Sequence, residues 1–331
     1  MPIHPPILVE ATRGSMVESR HRGHAVVVDA DGHVVAAFGD PVIAIYPRSS
    51  IKPLQALALI ETGAAKRFAV GSEEIALACA SHDGGPEHTA RVGAWLARIG
   101  LAEADLECGA HAPTDARAAE ELIRRGRVPS PVHNNCSGKH TGILAGALHL
   151  GEPTRGYLAP DHPAERRLKA VLADMSGASL ADAPTGVDGC GIPVYAMPLN
   201  GLARAMARLA QPERLPPARA EAARAVFQAM TCHPRLVSGP GRFDTEAMTA
   251  GSGKFIVKGG AEGMHAAAIP GAGLGIAVKI EDGACRASAV AMAALLARFA
   301  GIELADWRAP ILRNVAGRDI GILRASADLG A

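Results

Sequence analysis

The chain has 331 residues, 48% of them hydrophobic, and is long enough to bury one large core or two closely packed cores. Its formal net charge of +1 and its lack of lysine- or arginine-rich runs argue against a nucleic-acid or anionic-membrane surface, since both bind clustered positive charge. No apolar run approaches the roughly 18 residues that span a bilayer, and Met1-Pro-Ile-His-Pro-Pro lacks the regions of a signal peptide. We therefore expect a cytoplasmic protein with a small-molecule partner.

The first part of the chain carries strand signals. Ile7 to Glu10 is a short apolar run, and Ala25 to Phe38 holds Asp31-Gly32 between two β-branched runs. Asp-Gly between such runs is a strong hairpin signal. We expect a strand followed by a β-hairpin.

The middle of the chain is largely helical by periodicity and by its Ala, Arg and Leu content. Helices are predicted over residues 73–80, 87–99, 115–125, 137–150, 162–175, 199–209 and 217–230. The proline-rich residues 211–217 are expected to form a surface loop.

Strand character returns near the C-terminus, over residues 254–260, 265–269, 274–280 and 311–323, with a long apolar helix over 286–299. Strands at both ends with helices between them predict an α+β fold. Its mostly antiparallel sheet would be built from the N- and C-terminal segments, with a helical insertion over roughly residues 85–250. Because no linker or repeat interrupts the chain, we expect a single compact domain over residues 1–331.

Ser49 and Lys52 lie one turn apart at the start of a predicted helix, where Pro53 suits the first turn. A serine hydroxyl needs a base to become a nucleophile, and a lysine amine is a base only where burial or a nearby cation lowers its pKa. The Ser-x-x-Lys spacing is typical of serine enzymes that use a lysine. It also fits a serine N-cap followed by a solvated lysine.

Two further motifs follow Ser49-x-x-Lys52. Ser81-His-Asp83 lies on a predicted loop between helices, and Lys258-Gly-Gly260 ends a predicted strand. In order and element type the three resemble the Ser-x-x-Lys, Ser-Asp-Asn and Lys-Thr-Gly motifs of serine β-lactamases and penicillin-binding proteins. Two of the three depart from those motifs in sequence, which weighs against a β-lactam substrate.

A closer resemblance involves six segments and runs from about residue 10 to residue 298. They are Arg48-Ser-Ser-x-Lys-Pro-x-Gln-Ala-Leu57, Cys79-Ala-Ser-His82, His133-Asn-Asn-Cys-Ser-Gly-Lys-His140, Asp188-Gly-Cys190, Gly241-Arg-Phe-Asp244 and Val257-Lys-Gly-Gly-Ala-Glu-Gly263. Together they resemble the Rhizobium-type L-asparaginase II family. The resemblance implies a fold similar to that of serine β-lactamases, hydrolysis of L-asparagine to L-aspartate and ammonia, and a homodimer.

The resemblance also implies two catalytic pairs, Ser49 with Lys52 and Ser81 with Lys258. Ser49 would attack the side-chain carboxamide with Lys52 as base, forming an acyl-enzyme that water then opens. Ser81 and Lys258 would relay protons or help to keep the lysine neutral. Which of the two serines attacks stays open at this point.

Four residues are candidates for substrate binding: Arg48, Asp188, Asn135 and His140. Arg48 could hold the α-carboxylate of asparagine and Asp188 its α-ammonium group. A purely structural ion pair is an equally good interpretation of Arg48 and Asp188.

Zinc is the cofactor that the resemblance implies, bound by Cys136, Lys139 and Cys190. Thiolates suit zinc, whereas a lysine can bind it only as a neutral amine. The alternative is two buried thiols beside histidines with no metal role. For the other cysteines, Cys79, Cys108, Cys232 and Cys285, we expect buried thiols.

Two other functions compete with asparagine hydrolysis. One is another serine amidohydrolase on the same scaffold, such as a glutaminase, an esterase or a β-lactam-interacting enzyme. The other is a catalytically silent, zinc-dependent binding protein. The presence of all four catalytic candidates argues against the silent protein, because a decayed site would be expected to lose at least one of them.

Overall fold

A computed structural model describes residues 5–330 of the chain. The strands are β1 (Ile7–Arg13), β2 (Met16–Asp29), β3 (Val34–Phe38), β4 (Ala44–Ile45), β5 (Thr185–Val187), β6 (Pro193–Tyr195), β7 (Met197–Pro198), β8 (Ile256–Gly260), β9 (Met264–Ile269), β10 (Leu274–Ile280), β11 (Ile311–Arg313) and β12 (Asp319–Ala325). The helices are α1 (Lys52–Glu61), α2 (Ala64–Arg67), α3 (Ser72–Ala78), α4 (Pro86–Arg98), α5 (Ala116–Arg124), α6 (Ser137–Leu150), α7 (Pro163–Ser176), α8 (Leu199–Ala210), α9 (Pro217–Cys232), α10 (Pro234–Val237), α11 (Phe243–Gly251), α12 (Cys285–Ala300), α13 (Ala305–Arg308) and α14 (Ala327–Gly330). None of these helices is long and apolar enough to cross a membrane.

The main sheet contains strands from both ends of the chain. Its order is β11-β12-β1-β2-β10-β9-β8, with β3 paired to β2. Each pairing in this sheet is antiparallel. The predicted α+β class, with an antiparallel sheet built from the N- and C-terminal segments, is confirmed.

The hairpin predicted around Asp31-Gly32 is confirmed. β2 and β3 are joined by a turn in which the Asp29 carboxylate accepts hydrogen bonds from the backbone N–H groups of Asp31 and His33, each 2.9 Å long. Gly32 has a φ of +93°, which favours glycine because it has no Cβ. β2 starts at Met16, before the predicted start of the hairpin at Ala25. The prediction missed the first half of this strand because that half is mostly polar and contains no apolar run.

The prediction of one strand over residues 311–323 is wrong, since this segment forms the hairpin β11–β12. Asn314 ends the first strand, and its backbone N–H donates to the Arg318 carbonyl across the turn. Gly317 in that turn has a φ of +77°. The chain reverses here because the short Asn314–Gly317 stretch closes a turn between two apolar runs.

Helices cover the sheet and fill the middle of the chain. β9 is buried at all six positions, which requires cover on both faces of the sheet, and α8 and α12 pack against β9 and β10. The helices α1, α3, α6, α7 and α9 pack on one another in a separate layer. The helices predicted from the sequence are confirmed, whereas the short helices α2, α10, α11, α13 and α14 and the short strands β4 to β7 were not predicted. The single domain and its insertion boundaries stay predictions.

Candidate active site

Chain segments that are distant in sequence meet beside one cavity, among them the start of α1, the loop after α3, the start of α6, residues 188–190 and the strand β8. The cavity has a volume of about 630 Å³. Its wall includes six of the residues selected from the sequence for catalysis or substrate binding: Arg48, Ser49, Ser81, Asn135, Asp188 and Lys258. Residues distant in sequence therefore form one site.

The start of α1 places Ser49 at the cavity wall. Arg48 to Ile51 form a single 3-10 turn, and the backbone N–H of Lys52 donates to the Ser49 carbonyl. Arg48 has a φ of +52°, a conformation that costs a non-glycine residue about 1–3 kcal/mol. Its guanidinium Nε donates to Asp188 Oδ1 at 2.7 Å, and this ion pair helps to hold the strained turn.

Asp188 is ionised by this arrangement. Burial raises the pKa of Asp188, but the hydrogen bond from Arg48 and the positive charges of Lys139 and Arg48 outweigh it, so the pKa lies below its usual value. The structural ion pair left open by the sequence is therefore present. Both members still line the cavity, so the same pair can also meet a zwitterionic substrate.

Lys52 donates three hydrogen bonds within the site. Its Nζ atom lies 2.5 Å from the Ala80 carbonyl, 3.0 Å from Ser81 Oγ and 3.0 Å from Cys136 Sγ. The side chain is only 1% exposed. Among the residues that the structure describes, no hydrogen bond joins Ser49 Oγ to Lys52. The bonded partner of Lys52 is thus Ser81, whereas the family resemblance pairs Lys52 with Ser49.

The loop that carries Ser81 is held from three sides. The backbone N–H of Ser81 donates to the Val237 carbonyl at 2.9 Å, and Arg242 donates to the Ser81 carbonyl at 3.1 Å. The neighbouring His82 donates its backbone N–H to the Asn135 carbonyl at 3.1 Å. These bonds come from different elements, so they fix the position of the Ser81 hydroxyl relative to Lys52.

Lys258 enters the site from β8. Its Nζ atom donates to the Gly259 carbonyl at 2.7 Å and to Asp244 Oδ2 at 3.4 Å. Burial and the positive charges of Lys52 and Arg242 lower the pKa of Lys258 to about 8, although the Asp244 carboxylate opposes this shift. No hydrogen bond joins Lys258 to Ser81 among residues 5–330. Near neutral pH this amine can give up or accept a proton.

His140 is the predicted substrate-binding residue that the cavity wall does not include. Its ring is fully buried and absent from the cavity wall, and Nδ1 hydrogen-bonds Tyr157 Oη at 2.8 Å. The substrate-binding role of His140 stays a prediction, and α6 turns this side chain into the interior. Burial and the charge of Lys139 lower the pKa of His140 to about 4, so the ring is neutral.

The sequence pattern that defines the family described as L-asparaginase II matches residues 9–325, nearly the whole chain. The chain belongs to the L-asparaginase II family. Membership makes it an amidohydrolase and confirms the resemblance found in its motifs. No curated protein matches the chain significantly in sequence.

Two solved structures are similar to this asparaginase II chain. The native form of Mglu has 16% sequence identity and a TM-score of 0.46, over 86% of this chain and 65% of Mglu. The chain thus spans slightly less than two thirds of the length of Mglu. A β-lactamase from Mycobacterium bovis has 17% identity and a TM-score of 0.42, over 79% of this chain and 88% of that structure.

The three residues that the family resemblance assigns to zinc converge beside the catalytic groups. Lys139 Nζ lies 3.0 Å from Cys190 Sγ, close to the separation of about 3.5 Å between two ligands of one tetrahedral zinc ion. Cys136 and Cys190 interact through their thiols. The hydrogen bond from Cys190 and the positive charges of Lys52 and Lys139 hold the pKa of Cys136 well below its usual value, and the same bond raises the pKa of Cys190. Burial lowers the pKa of Lys139, but the charges of Cys190 and Cys136 outweigh it and raise that pKa, so the amine would have to lose a proton before this donor set could fit a zinc ion.

All six cysteines lie within the described residues, and none of them is in a disulfide. Cys79 and Cys108 are buried, but Cys232 and Cys285 are exposed, so the prediction of buried thiols is wrong for these two. Cys232 is the last residue of α9 and Cys285 the first of α12, and both positions face solvent. Burial raises the pKa of Cys79 to about 12, which keeps that thiol protonated.

Sequence reasoning missed three residues beside the catalytic groups: Asp244, His265 and Arg242, all of which line the cavity. Asp244 and Arg242 lie in the motif Gly241-Arg-Phe-Asp244, so the sequence pointed to the segment without assigning a role. His265 has no such signal, since a lone histidine in an apolar strand is usually a core residue. Only the pairing of β8 with β9 brings it near Lys258.

Proposed function

We propose that this protein hydrolyses the side-chain amide of L-asparagine to L-aspartate and ammonia through an ester on a serine. The observation that carries the proposal is the 3.0 Å contact between Lys52 Nζ and Ser81 Oγ beside a cavity that Ser49 and Lys258 also line. A buried amine bonded to a serine hydroxyl can take up the proton of a serine nucleophile, either directly or through that hydroxyl. Family membership supplies the substrate class.

Ser49 is the proposed nucleophile, because its half-buried hydroxyl faces the cavity and is not tied to another side chain among the described residues. Its proton passes to Lys52 by way of Ser81, which is already bonded to that amine. Ser49 Oγ forms a bond to the amide carbon, and the carbon–nitrogen bond then breaks. The proton leaves with the nitrogen as ammonia, and water releases L-aspartate from the ester.

The Arg48–Asp188 pair and Asn135 are proposed to orient the substrate. A free amino acid carries an α-carboxylate and an α-ammonium group, which complement the guanidinium and the carboxylate at the cavity wall. Arg48 is the direct neighbour of Ser49 in the chain, so the separation between these two residues is fixed. This contact would place the substrate amide near the Ser49 hydroxyl.

We also propose that Cys136, Lys139 and Cys190 bind zinc. A zinc ion there would act as a Lewis acid and as an anchor for a polar substrate group. Metal analysis should find about one zinc per chain in the unsubstituted protein, and much less in Cys136→Ser and Cys190→Ser. Cys108→Ser is the matched control, since Cys108 is a buried thiol outside the donor set. Equal zinc in all four proteins would refute the site.

Ammonia release by the purified protein tests the main proposal. Asparagine, glutamine and a chromogenic β-lactam should be compared at equal enzyme concentration, and asparagine should give the highest kcat/KM. A cavity of about 630 Å³ has room for the extra methylene of glutamine, so this comparison is needed. Turnover of glutamine or of the β-lactam above that of asparagine would replace the proposed substrate. The homodimer and the cytoplasmic location stay predictions.

A further inference from the structure

A buried chain of close polar contacts lies behind Lys258. Asp244 Oδ2 accepts from the backbone N–H of Gly259 at 2.9 Å and faces Lys258 Nζ at 3.4 Å. Asp244 Oδ1 faces His265 Nε2 at 3.3 Å, and His265 Nδ1 lies 2.9 Å from Ser288 Oγ. Asp244, Lys258, His265 and Ser288 are each more than nine-tenths buried.

The direction of these bonds follows from the carboxylate. Asp244 can only accept, so His265 Nε2 must carry a proton. His265 Nδ1 then either accepts from Ser288 or, in the charged ring, donates to it while Ser288 donates to the Cys285 carbonyl at 3.0 Å. Both arrangements leave Lys258 and the Gly259 N–H against Oδ2 and the His265 ring against Oδ1.

The charged groups near Lys258 come from several elements. Asp244 on α11 is the negative group, and the positive groups are Lys52 on α1 and Arg242 just before α11. Cys79, at the end of α3, lies close enough to Lys258 for their charges to interact. Burial raises the pKa of this thiol, however, so it stays protonated and neutral. Asp244 is thus the group that offsets the positive charges around this amine.

We propose that Asp244, held by His265, is the positioning residue for Lys258, fixing where its amine sits at the cavity wall and over which pH range it exchanges a proton. The inference rests on the proposed function, in which Lys258 shares in proton transfer. Asp244 does not touch the substrate in this scheme and acts through Lys258. Neither Asp244 nor His265 belongs to the Ser49, Lys52 and Ser81 set.

The test is the titration of Lys258 followed by NMR in protein carrying ¹³C at lysine Cε, with the Lys258→Met variant to assign its signal among the seven lysines. The midpoint should lie near pH 8 in the unsubstituted protein. In Asp244→Asn it should fall by about 1 to 3 pH units, since an opposite charge at this distance has that effect. The ascending limb of kcat/KM for asparagine should move to lower pH in parallel.

Asp282→Asn is the matched control, because it breaks another acid–histidine pair, His21 Nδ1 to Asp282 Oδ2 at 2.6 Å, without a contact to Lys258. It should leave the Lys258 midpoint unchanged. A second variant, His265→Gln, keeps the Asp244 charge and loses the ring that fixes it. Here the midpoint should stay within about 0.5 pH unit while kcat falls about tenfold.

The inference is overturned by an unchanged Lys258 midpoint in Asp244→Asn, by a pH profile that does not follow the midpoint, or by a normal kcat in His265→Gln. If Asp244→Asn does not fold, the inference is judged by the Lys258 midpoint and kcat of His265→Gln. If the unsubstituted protein releases no ammonia from asparagine, the proposed function fails, and the NMR midpoint alone decides the inference. The two ideas can therefore fail separately.

Discussion

At the scale of single residues, three buried lysines dominate the site, and each has a different partner. Lys52 Nζ lies 3.0 Å from the hydroxyl of Ser81 and Lys139 Nζ lies 3.0 Å from the thiol of Cys190, whereas Lys258 Nζ faces the carboxylate of Asp244 at 3.4 Å. An amine can lose its proton, whereas a guanidinium stays charged in proteins. The proposed chemistry therefore depends on lysine and not on positive charge alone.

Ser49→Ala should lower kcat for asparagine by about 10³-fold or more with the fold intact, because it removes the proposed nucleophile. Ser81→Ala should cost about 10²-fold, since it removes only a proton carrier. Acid quenching during turnover and peptide mapping should place the aspartyl ester on Ser49. An ester on Ser81, or more than a tenth of the normal kcat in Ser49→Ala, would show that Ser49 is not the nucleophile and would assign that role to Ser81.

Lys52→Arg should be nearly as damaging as Lys52→Ala. Arginine keeps the charge beside Ser81 and Cys136 but cannot accept the serine proton at neutral pH. Steady-state kinetics should show both variants at about 10² to 10⁴ below the normal kcat, with circular dichroism confirming the fold. Near-normal turnover by Lys52→Arg would mean that Lys52 acts only through its charge.

At the scale of elements, the site depends on the close approach of α3 and α6. The loop after α3 carries Ser81, and the first turn of α6 carries Lys139 with Cys136 just before it. Gly138 lies at the contact, where a Cβ atom would be 2.4 Å from the Leu77 carbonyl oxygen. The absence of a side chain at Gly138 is therefore what lets the two helices bring these groups together.

Gly138→Ala should destabilise the protein by about 1–3 kcal/mol, because the methyl group forces the two helix backbones apart. It should also lower kcat, since the loop after α3 that carries Ser81 would move away from Cys136, and Lys52 bonds both residues. Gly146→Ala on the same helix is the matched control: nothing lies within 4 Å of its added Cβ, and alanine should stabilise the helix by about 0.5–1 kcal/mol. Urea unfolding should be used to compare the free energies of unfolding of the two variants. Equal values would show that the contact between Gly138 and Leu77 can relax without destabilising the protein.

At the scale of the whole molecule, buried titratable groups make stability depend on pH. Burial raises the pKa of Asp244 and of Asp83, but the bonds and charges of Lys258 and His265 at Asp244, and of His88 at Asp83, lower both below their usual value. Burial also holds the pKa of His82 well below its usual value, so this ring is neutral in the fold. Unfolding lets all three bind protons more readily.

Stability should therefore fall as the pH is lowered. A carboxyl with a depressed folded-state pKa contributes stability above its unfolded pKa of about 4, and that contribution is lost as the pH falls below this value. His82 adds a loss that starts below about pH 6.5. We expect the Tm to drop by roughly 5 °C or more between pH 7 and pH 3.

Asp244→Asn should have a lower Tm at pH 7, and its Tm should fall less steeply as the pH is lowered. The reason is that proton uptake by the Asp244 carboxylate, which causes part of the loss of stability at low pH, no longer occurs. Asp306→Asn, at an exposed position on α13, should leave the curve unchanged. Differential scanning calorimetry over this pH range makes the comparison. A steeper acid branch in Asp244→Asn than in the unsubstituted protein would contradict the expected sign of this contribution.

The sequence alone determined most of the longer elements and the family. The hairpin around Asp31-Gly32, the helices of the middle and the antiparallel sheet follow from local periodicity and turn residues, which act over a few positions. Ser49-x-x-Lys52 was visible for the same reason, since both residues lie on one helical turn. The prediction of a single strand over residues 311–323 is wrong, because a short turn without proline was hidden between two apolar runs.

Only the tertiary structure decided which groups meet. It joins Lys52 to Ser81 and Cys136, 29 and 84 residues away in the chain, and it turns His140 inward against Tyr157. His265 reaches Asp244 because β9 pairs with β8, and a pattern of apolar residues does not record which strands are neighbours. The chemistry of each side chain is local, but the position of its proton depends on burial and charges that distant segments supply.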